Sequence, residues 1–184
     1  LRQKLAALEG TEDALVCASG SAAVSIAVIG NLKTGDHVIC VQKPYSWTYK
    51  LLNTMLIRFG IETTFIDGTE ISNFEHALKP NTRMVFIESP NSMTFELQDI
   101  AAVAEFAKRN HLLSIIDNSF SSPLFQKPHA MGIDLVVHSA TKYLGGHNDL
   151  CAGALVAREK QLGDALYFLQ NSTGPVLSPQ DSWL

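Results

Sequence analysis

The sequence predicts an α/β fold in three layers, α/β/α, built on a mostly parallel sheet with helices on both faces. Short β-rich runs alternate with longer helical patterns along its 184 residues, which is the order of a sheet wound by helical crossovers. Several runs, such as Met84-Val85-Phe86-Ile87 and Leu135-Val136-Val137, are continuously apolar rather than alternating. That pattern belongs to parallel strands buried on both faces. The length suits one hydrophobic core and is too short for two ordinary domains.

In chain order, Leu1–Glu9 reads as a helix. Strands are then expected at Ala14–Ala18, His37–Val41, Glu62–Ile66, Arg83–Glu88, Leu112–Asp117, Asp134–Ser139 and Gly153–Ala157. Helical stretches fall between them, near Ser21–Leu32, Tyr45–Phe59, Asn73–Leu78, Asp99–Asn110 and Glu159–Gln170. In Asp99–Asn110, Ile100, Val103, Ala104 and Ala107 share one face while Glu105, Lys108 and Arg109 lie elsewhere. Leu1 opens inside a helical pattern without a methionine or a cap. The last residues, Ser182-Trp183-Leu184, follow a helix start at Ser178-Pro179-Gln180-Asp181. Both ends read as those of a piece from a longer polypeptide.

Composition narrows the function class. The chain is 46% apolar and 17% charged with a net charge of −4, a globular profile without the basic stripe of a nucleic-acid or anionic-membrane surface. A small-molecule partner is therefore expected, with no nucleic acid and no membrane. Cys17 and Cys40 sit in apolar strand runs and read as buried, inert thiols; with Cys151 the three form no CxxC pair and no disulfide framework. Without a basic-then-apolar leader or an apolar run of spanning length, a cytoplasmic protein is expected.

In open α/β sheets ligands bind beyond the carboxyl ends of the strands. Asp117 ends one expected strand, Ser139 to Lys142 follow another, and Ser19-Gly20-Ser21 follow a third and open a helix. Glycine permits a tight turn there, and the free N–H groups of a helix start face an anion. Taken alone, a serine–glycine pair is also an ordinary helix cap, and it matches neither GxGxxG nor the P-loop spacing. Lys142 alone would read as a solvated charge. Behind an apolar strand and ahead of Tyr143-Leu144-Gly145-Gly146 it is expected to be partly buried, which lowers an amine's pKa and makes it a nucleophile. Ser139 and Thr141 stand three and one residues before it and can donate to a phosphate. Asp117 either caps a loop or pairs with a protonated pyridine nitrogen, with Ser119 as its brace. Tyr45 is either ordinary core or a ring that stacks on a flat ligand and offers its hydroxyl. An amine, two hydroxyls, a carboxylate and a glycine turn are the parts that hold pyridoxal 5′-phosphate (PLP): the amine takes the aldehyde as a Schiff base, the carboxylate pairs with the ring nitrogen, and the turn and hydroxyls hold the phosphate. The six histidines fall into no HExxH or paired ligand spacing, so no metal site is expected. A GxSxG elbow is absent.

These segments resemble the Cys/Met-metabolism PLP-dependent (trans-sulfuration) enzymes, the family of cystathionine γ-synthase, cystathionine β- and γ-lyases and methionine γ-lyase. The resemblance is carried by Leu5–Gly10, Ala18-Ser19-Gly20-Ser21-Ala22-Ala23, Glu88-Ser89-Pro90, Asp117-Asn118-Ser119-Phe120 and above all Val137-His138-Ser139-Ala140-Thr141-Lys142-Tyr143-Leu144-Gly145-Gly146-His147. It implies a fold-type I PLP-dependent transferase-like large domain over residues 1–184, without the N-terminal arm and C-terminal domain that family members use. It implies Lys142 as the Schiff-base lysine and Asp117 as the pyridinium partner. Gly20 and Ser21 backbone groups with the Ser139 and Thr141 hydroxyls would hold the phosphate, Tyr45 would stack on the ring, and the strand from Gly153 would run antiparallel. A homo-oligomer, dimer or tetramer, is implied as well.

The chain departs from the family pattern at three places. Asn91-Ser92-Met93 stands where Ser-Asn-Pro is usual, which displaces by one the asparagine expected near the cofactor's phenolic oxygen and leaves Asn91 or Ser92 to replace it. Trp47 occupies the place of a cysteine in methionine γ-lyases, which argues against that specificity and narrows the pocket. Ser21 replaces a commoner methionine, a change that a backbone contact survives. The expected activity is a carbon–sulfur lyase acting on cystathionine or a related amino acid, with Lys142, Tyr45 and Asp117 as the catalytic groups. Lys142, freed by the substrate amine, would remove the α-proton. A γ-replacement synthase or sulfhydrylase on an O-acylhomoserine is the alternative, and a non-catalytic PLP-binding or assembly module is an alternative of another class. A nicotinamide domain fits the strand–helix alternation but lacks the glycine fingerprint. Residues 1–184 alone are expected to turn over poorly.

Overall fold

The computed structural model describes residues 1–184. Seven strands form one sheet: β1 (Ala14–Cys17), β2 (His37–Val41), β3 (Glu62–Ile66), β4 (Thr82–Glu88), β5 (Leu113–Asp117), β6 (Leu135–His138) and β7 (Gly153–Ala157), in the spatial order β1-β7-β6-β5-β4-β2-β3. From β3 to β6 every neighbour is parallel, whereas β7 runs antiparallel to both β6 and β1. The mostly parallel sheet and the antiparallel strand from Gly153 stand as expected.

The continuously apolar strands are explained by their two faces. Successive side chains point to opposite sides, so Val38 and Cys40, Met84 and Phe86, Ile115, and Leu135 and Val137 feed one core with α2 (Gly20–Ile29) and Leu166 of α7 (Lys160–Thr173). Ile39 and Val41, Val85 and Ile87, Ile116 and Val136 feed a second core with α4 (Ile71–Ala77) and α5 (Ile100–Arg109). These are the three layers. Within α5 the buried residues are Ile100, Val103, Ala104, Phe106 and Ala107, and Asp99 caps its start by accepting from Ala102 N at 3.0 Å. The helix α1 (Arg2–Glu9) packs Leu5 and Ala6 onto Ala14, Ala154 and Val156, and it ends at Gly10, whose φ of 77° suits glycine.

Two helical expectations change. The stretch Tyr45–Phe59 is broken into α3 (Ser46–Lys50), a π-turn over Leu51–Met55 and a 3-10 turn over Leu56–Phe59. Leu51, Leu52 and Leu56 all belong to the first core, and widening the turn brings the adjacent pair onto one face. The helix expected at Asn73–Leu78 starts two residues earlier, at Ile71, and ends at Ala77. Short helices α6 (Ser122–Phe125) and α8 (Pro179–Trp183) complete the chain. No helix is long and apolar enough to cross a membrane.

Cys17 and Cys40 are fully buried and Cys151 is exposed. Burial, against a weaker opposing hydrogen bond from Gln170, lifts the Cys17 thiol from 9.0 to about 12. Burial first, and the Glu88 charge second, push Cys40 well above its ordinary value. Both therefore stay protonated at pH 8; for Cys17 the stability this contributes is complete below pH 9.0 and lost as pH rises through about 12. A thiol-exchange titration of the folded chain at pH 8 is expected to count one fast thiol, Cys151, and three after unfolding; rapid reaction of Cys17 or Cys40 in the native state would contradict this burial.

Candidate active site

The carboxyl ends of β1, β4, β5 and β6 open on one rim of the sheet, and the amino end of the antiparallel β7 joins them there. At that rim Ser119 follows Asp117 by two residues, so its N–H and hydroxyl both reach back to Asp117 Oδ1, at 3.0 and 2.6 Å. The same hydroxyl oxygen accepts the Ser139 N–H at 2.6 Å, tying the end of β5 to the end of β6. Lys142 Nζ donates to Ser139 Oγ at 3.0 Å and lies 5.4 Å from the centre of the Tyr45 ring. Asp117, Ser119, Ser139, Lys142 and Tyr45 are thus one connected group.

The start of α2 closes the same rim. Ser19 is its N-cap, with Oγ accepting Ala22 N at 3.1 Å, and helix geometry leaves the first N–H groups, those of Gly20 and Ser21, without intrahelical partners. A Cβ on Gly20 would fall 2.7 Å from Ser139 Cβ, and one on Gly153 would fall 2.1 Å from Ser19 O. Only glycine lets this helix start sit against both β6 and β7. Ser21 is exposed at the helix mouth. The Thr141 hydroxyl, expected to face a phosphate, is instead spent on the residue before β7: it donates to Ala152 O at 3.1 Å and accepts Ala152 N at 3.0 Å.

Lys142 corrects an expectation: it is exposed, not partly buried. Tight turns closed by Gly145 N on Ala140 O and Gly146 N on Lys142 O, at 2.8 and 2.7 Å, carry it beyond the sheet rim while Ala140 stays buried. Tyr45 is half-buried at the start of α3 rather than part of the core. Asn91 is buried and committed to its loop. Its side chain accepts Gln98 Nε2 at 2.9 Å and donates to Gln42 O and Lys43 O at 3.3 and 3.4 Å. Ser92, by contrast, turns its hydroxyl onto Glu88. Trp47 is exposed on α3, 4.3 Å from Lys50 Nζ.

Two features escaped the sequence reading. Glu88 closes β4 in register with Asp117 on β5, and it is 3% exposed. Burial, then the Asp117 charge, push its carboxyl above the ordinary range against the hydrogen bonds from Ser92 and Tyr45. The signal was present: Glu88 ends an apolar strand just as Asp117 does. The second is a buried pair, Glu9 Oε1 to His138 Nε2 at 2.5 Å, which anchors α1 to the strand residue just before Ser139. Their separation of 129 residues left no local signal. A cavity of about 1300 Å³ lies at the other end of the sheet, between α1 and α7, lined by Arg2, Asp13, Arg158 and Lys160 among others. None of the connected group reaches it.

A sheet with Lys142, Asp117 and a glycine-bearing helix start on the same rim has the parts of a cofactor-binding α/β domain. The family described as Cys/Met metabolism PLP-dependent enzyme matches residues 1–184, and the chain belongs to it. Among its relatives, cystathionine beta-lyase MetC of Staphylococcus haemolyticus is 49% identical over 183 residues, covering 100% of this chain and 46% of that protein. A cystathionine gamma-lyase of Bacillus subtilis is 45% identical over 177 residues, covering 96% and 46%. The crystal structure of cystathionine gamma-lyase from Lactobacillus plantarum complexed with L-serine superposes with a TM-score of 0.96 at 39% identity, over 99% of this chain and 48% of that one. The chain spans about half the length of the curated relatives it matches. The family implies PLP as the cofactor, and the donor set at the rim fits it: an amine, a carboxylate fixed by two bonds, serine hydroxyls and a ten-residue helix start.

Because a Gly153 Cβ would strike the Ser19 carbonyl, Gly153→Ala must push the helix start away from β7. A loss of about 1–3 kcal/mol is expected from urea unfolding; unchanged stability would contradict the close approach.

Proposed function

We propose that the protein containing this chain is a PLP-dependent lyase that breaks a carbon–sulfur bond of cystathionine or a related sulfur amino acid. The observation that carries the reading is the line of bonds from Lys142 through Ser139 and Ser119 to Asp117. Bound PLP supplies an aldehyde for an amine to capture and a cationic ring that draws electrons from the substrate α-carbon. Lys142 would provide the capturing amine, and its Nζ, set beside Ser139 and the Tyr45 ring, would be the base for the substrate α-proton. Asp117, held by Ser119, keeps a proton on the ring nitrogen. The N–H groups of Gly20 and Ser21 bind the phosphate at the helix start, helped by the Ser139 hydroxyl; Thr141 joins them only by giving up its bond to Ala152 O. Tyr45 stacks on the ring and holds its hydroxyl ready as an acid or base. The lyase reading is supported by the names of the two relatives, both cystathionine lyases.

We also propose that the whole protein is a cytoplasmic homo-oligomer, a dimer or tetramer. Phe95, Phe120 and Tyr143 stack edge-on, with centroids 5.1 and 6.1 Å apart, and are exposed together near the rim. An apolar group of this size is normally covered.

The test is borohydride reduction of the PLP-loaded protein followed by peptide mapping, with cystathionine cleavage assayed alongside. Label on Lys142 is expected, and Lys142→Ala should lower cleavage by about 10²–10⁴-fold, the span of a lost acid–base group. Label on another lysine would overturn the site. Turnover only of O-acylhomoserine with a thiol would replace lyase by synthase, and assembly without any turnover would favour the non-catalytic module.

A further inference from the structure

Glu88 has no place in the chemistry described above, yet it is a buried carboxyl at the centre of the site's rim. Its contacts are three donors. Oε2 accepts Tyr45 N at 2.8 Å, and Oε1 accepts Ser92 N at 2.6 Å and the Ser92 hydroxyl. Such a group is costly to bury beside a second carboxylate, and an apolar residue would fill the space without that cost. Its donors come from two different loops that flank the site.

The loop before Tyr45 is held at Gln42 O and Lys43 O by Asn91 Nδ2, but at Tyr45 itself the N–H is bound by Glu88. Tyr45 precedes α3 with extended backbone angles, φ −45° and ψ 135°, so its N–H lies outside the helix ladder. Pro44 before it has no N–H to give, and Lys43 stands at a positive φ of 56°. The bond to Glu88 is the link from the Tyr45 backbone to the sheet. On the other side, the loop after Pro90 is pinned by Gln98 on Asn91 and by Ser92 on Glu88, and Asn91 ties it to the loop before Tyr45 through Gln42 O.

We propose that Glu88 is a positioning residue for the Tyr45 ring: its carboxyl fixes the Tyr45 backbone to the end of β4 and so sets the phenol in front of Lys142, ready to stack on a flat cofactor. The proposal rests on the PLP reading of the site. Glu88 touches neither Lys142 nor the helix start; it acts through Tyr45.

A double-mutant cycle tests this. PLP is titrated into the full chain, Tyr45→Ala, Glu88→Ala and the double variant, followed by visible absorbance and by the circular dichroism band of the bound cofactor. Glu88→Ala is expected to weaken PLP binding by roughly three- to tenfold, the worth of an aromatic stack, and to alter the dichroism band. Glu88→Gln, which keeps one acceptor, should recover part of both. In the Tyr45→Ala background the Glu88→Ala step should cost less than about twofold, because the ring it places is gone. Equal losses in both backgrounds would overturn the proposal, since Glu88 would then act through Asp117 or through general folding. Should Glu88→Ala not fold, the same cycle run with Glu88→Gln decides. Failure of the unsubstituted chain to bind PLP would count against the cofactor reading alone. Amide hydrogen exchange at Tyr45 in the cofactor-free protein then decides the positioning role: faster exchange without Glu88 supports it, and unchanged exchange overturns it.

Discussion

A single hydroxyl joins the two strand ends on which the site depends. Ser119 Oγ gives its proton to Asp117 and takes the N–H of Ser139, each at 2.6 Å. A donor and an acceptor on one atom let a carboxylate on β5 and the turn after β6 be held at once, without a cation between them. Lys142 then reaches back to Ser139, and Gly20 brings a helix start against the same serine. Without the Ser119 link the sheet still joins the strand ends through Asn118 N and Val137 O at 2.9 Å, but nothing ties the Asp117 side chain to the turn that carries Lys142.

The sheet beneath makes this possible through direction. Five parallel strands deliver their carboxyl ends to one rim, and the inner ones carry apolar stretches because their side chains alternate between two helix-covered cores. On β4 and β5 the closing residues are carboxyl-bearing. Glu88 and Asp117 are neighbours in that row, in register on β4 and β5. Their proximity penalises two charges, which the donors on Glu88 and on Asp117 offset in different ways. The antiparallel β7 extends the sheet past β6, and its first residue, a glycine, lets the Ser19 carbonyl come close.

The parts of the fold legible in the sequence were those set by local pattern: unbroken apolar strands, the amphipathic α5, and glycine and serine where a strand turns into a helix. Asp117, Ser139 and Lys142 were legible because they interrupt apolar runs. Other features depended on distant packing. The π-turn after α3 leaves no mark on the apolar pattern, because Leu52 and Leu56 stand four apart as in an ordinary helix. The exposure of Lys142 reflects how far its turns project from the sheet. The Glu9–His138 pair joins the first helix to a strand on the far side of the chain. Glu88 was readable by the same rule as Asp117, but its role lies in backbone donors that have no side-chain signature.

A crystal structure of the protein grown with PLP tests the account most directly. The account predicts density for the cofactor's phosphate at the start of α2, with its ring between Tyr45 and Asp117 and its aldehyde carbon at Lys142 Nζ. Density in the cavity between α1 and α7, with the rim around Ser119 left unfilled, would contradict it.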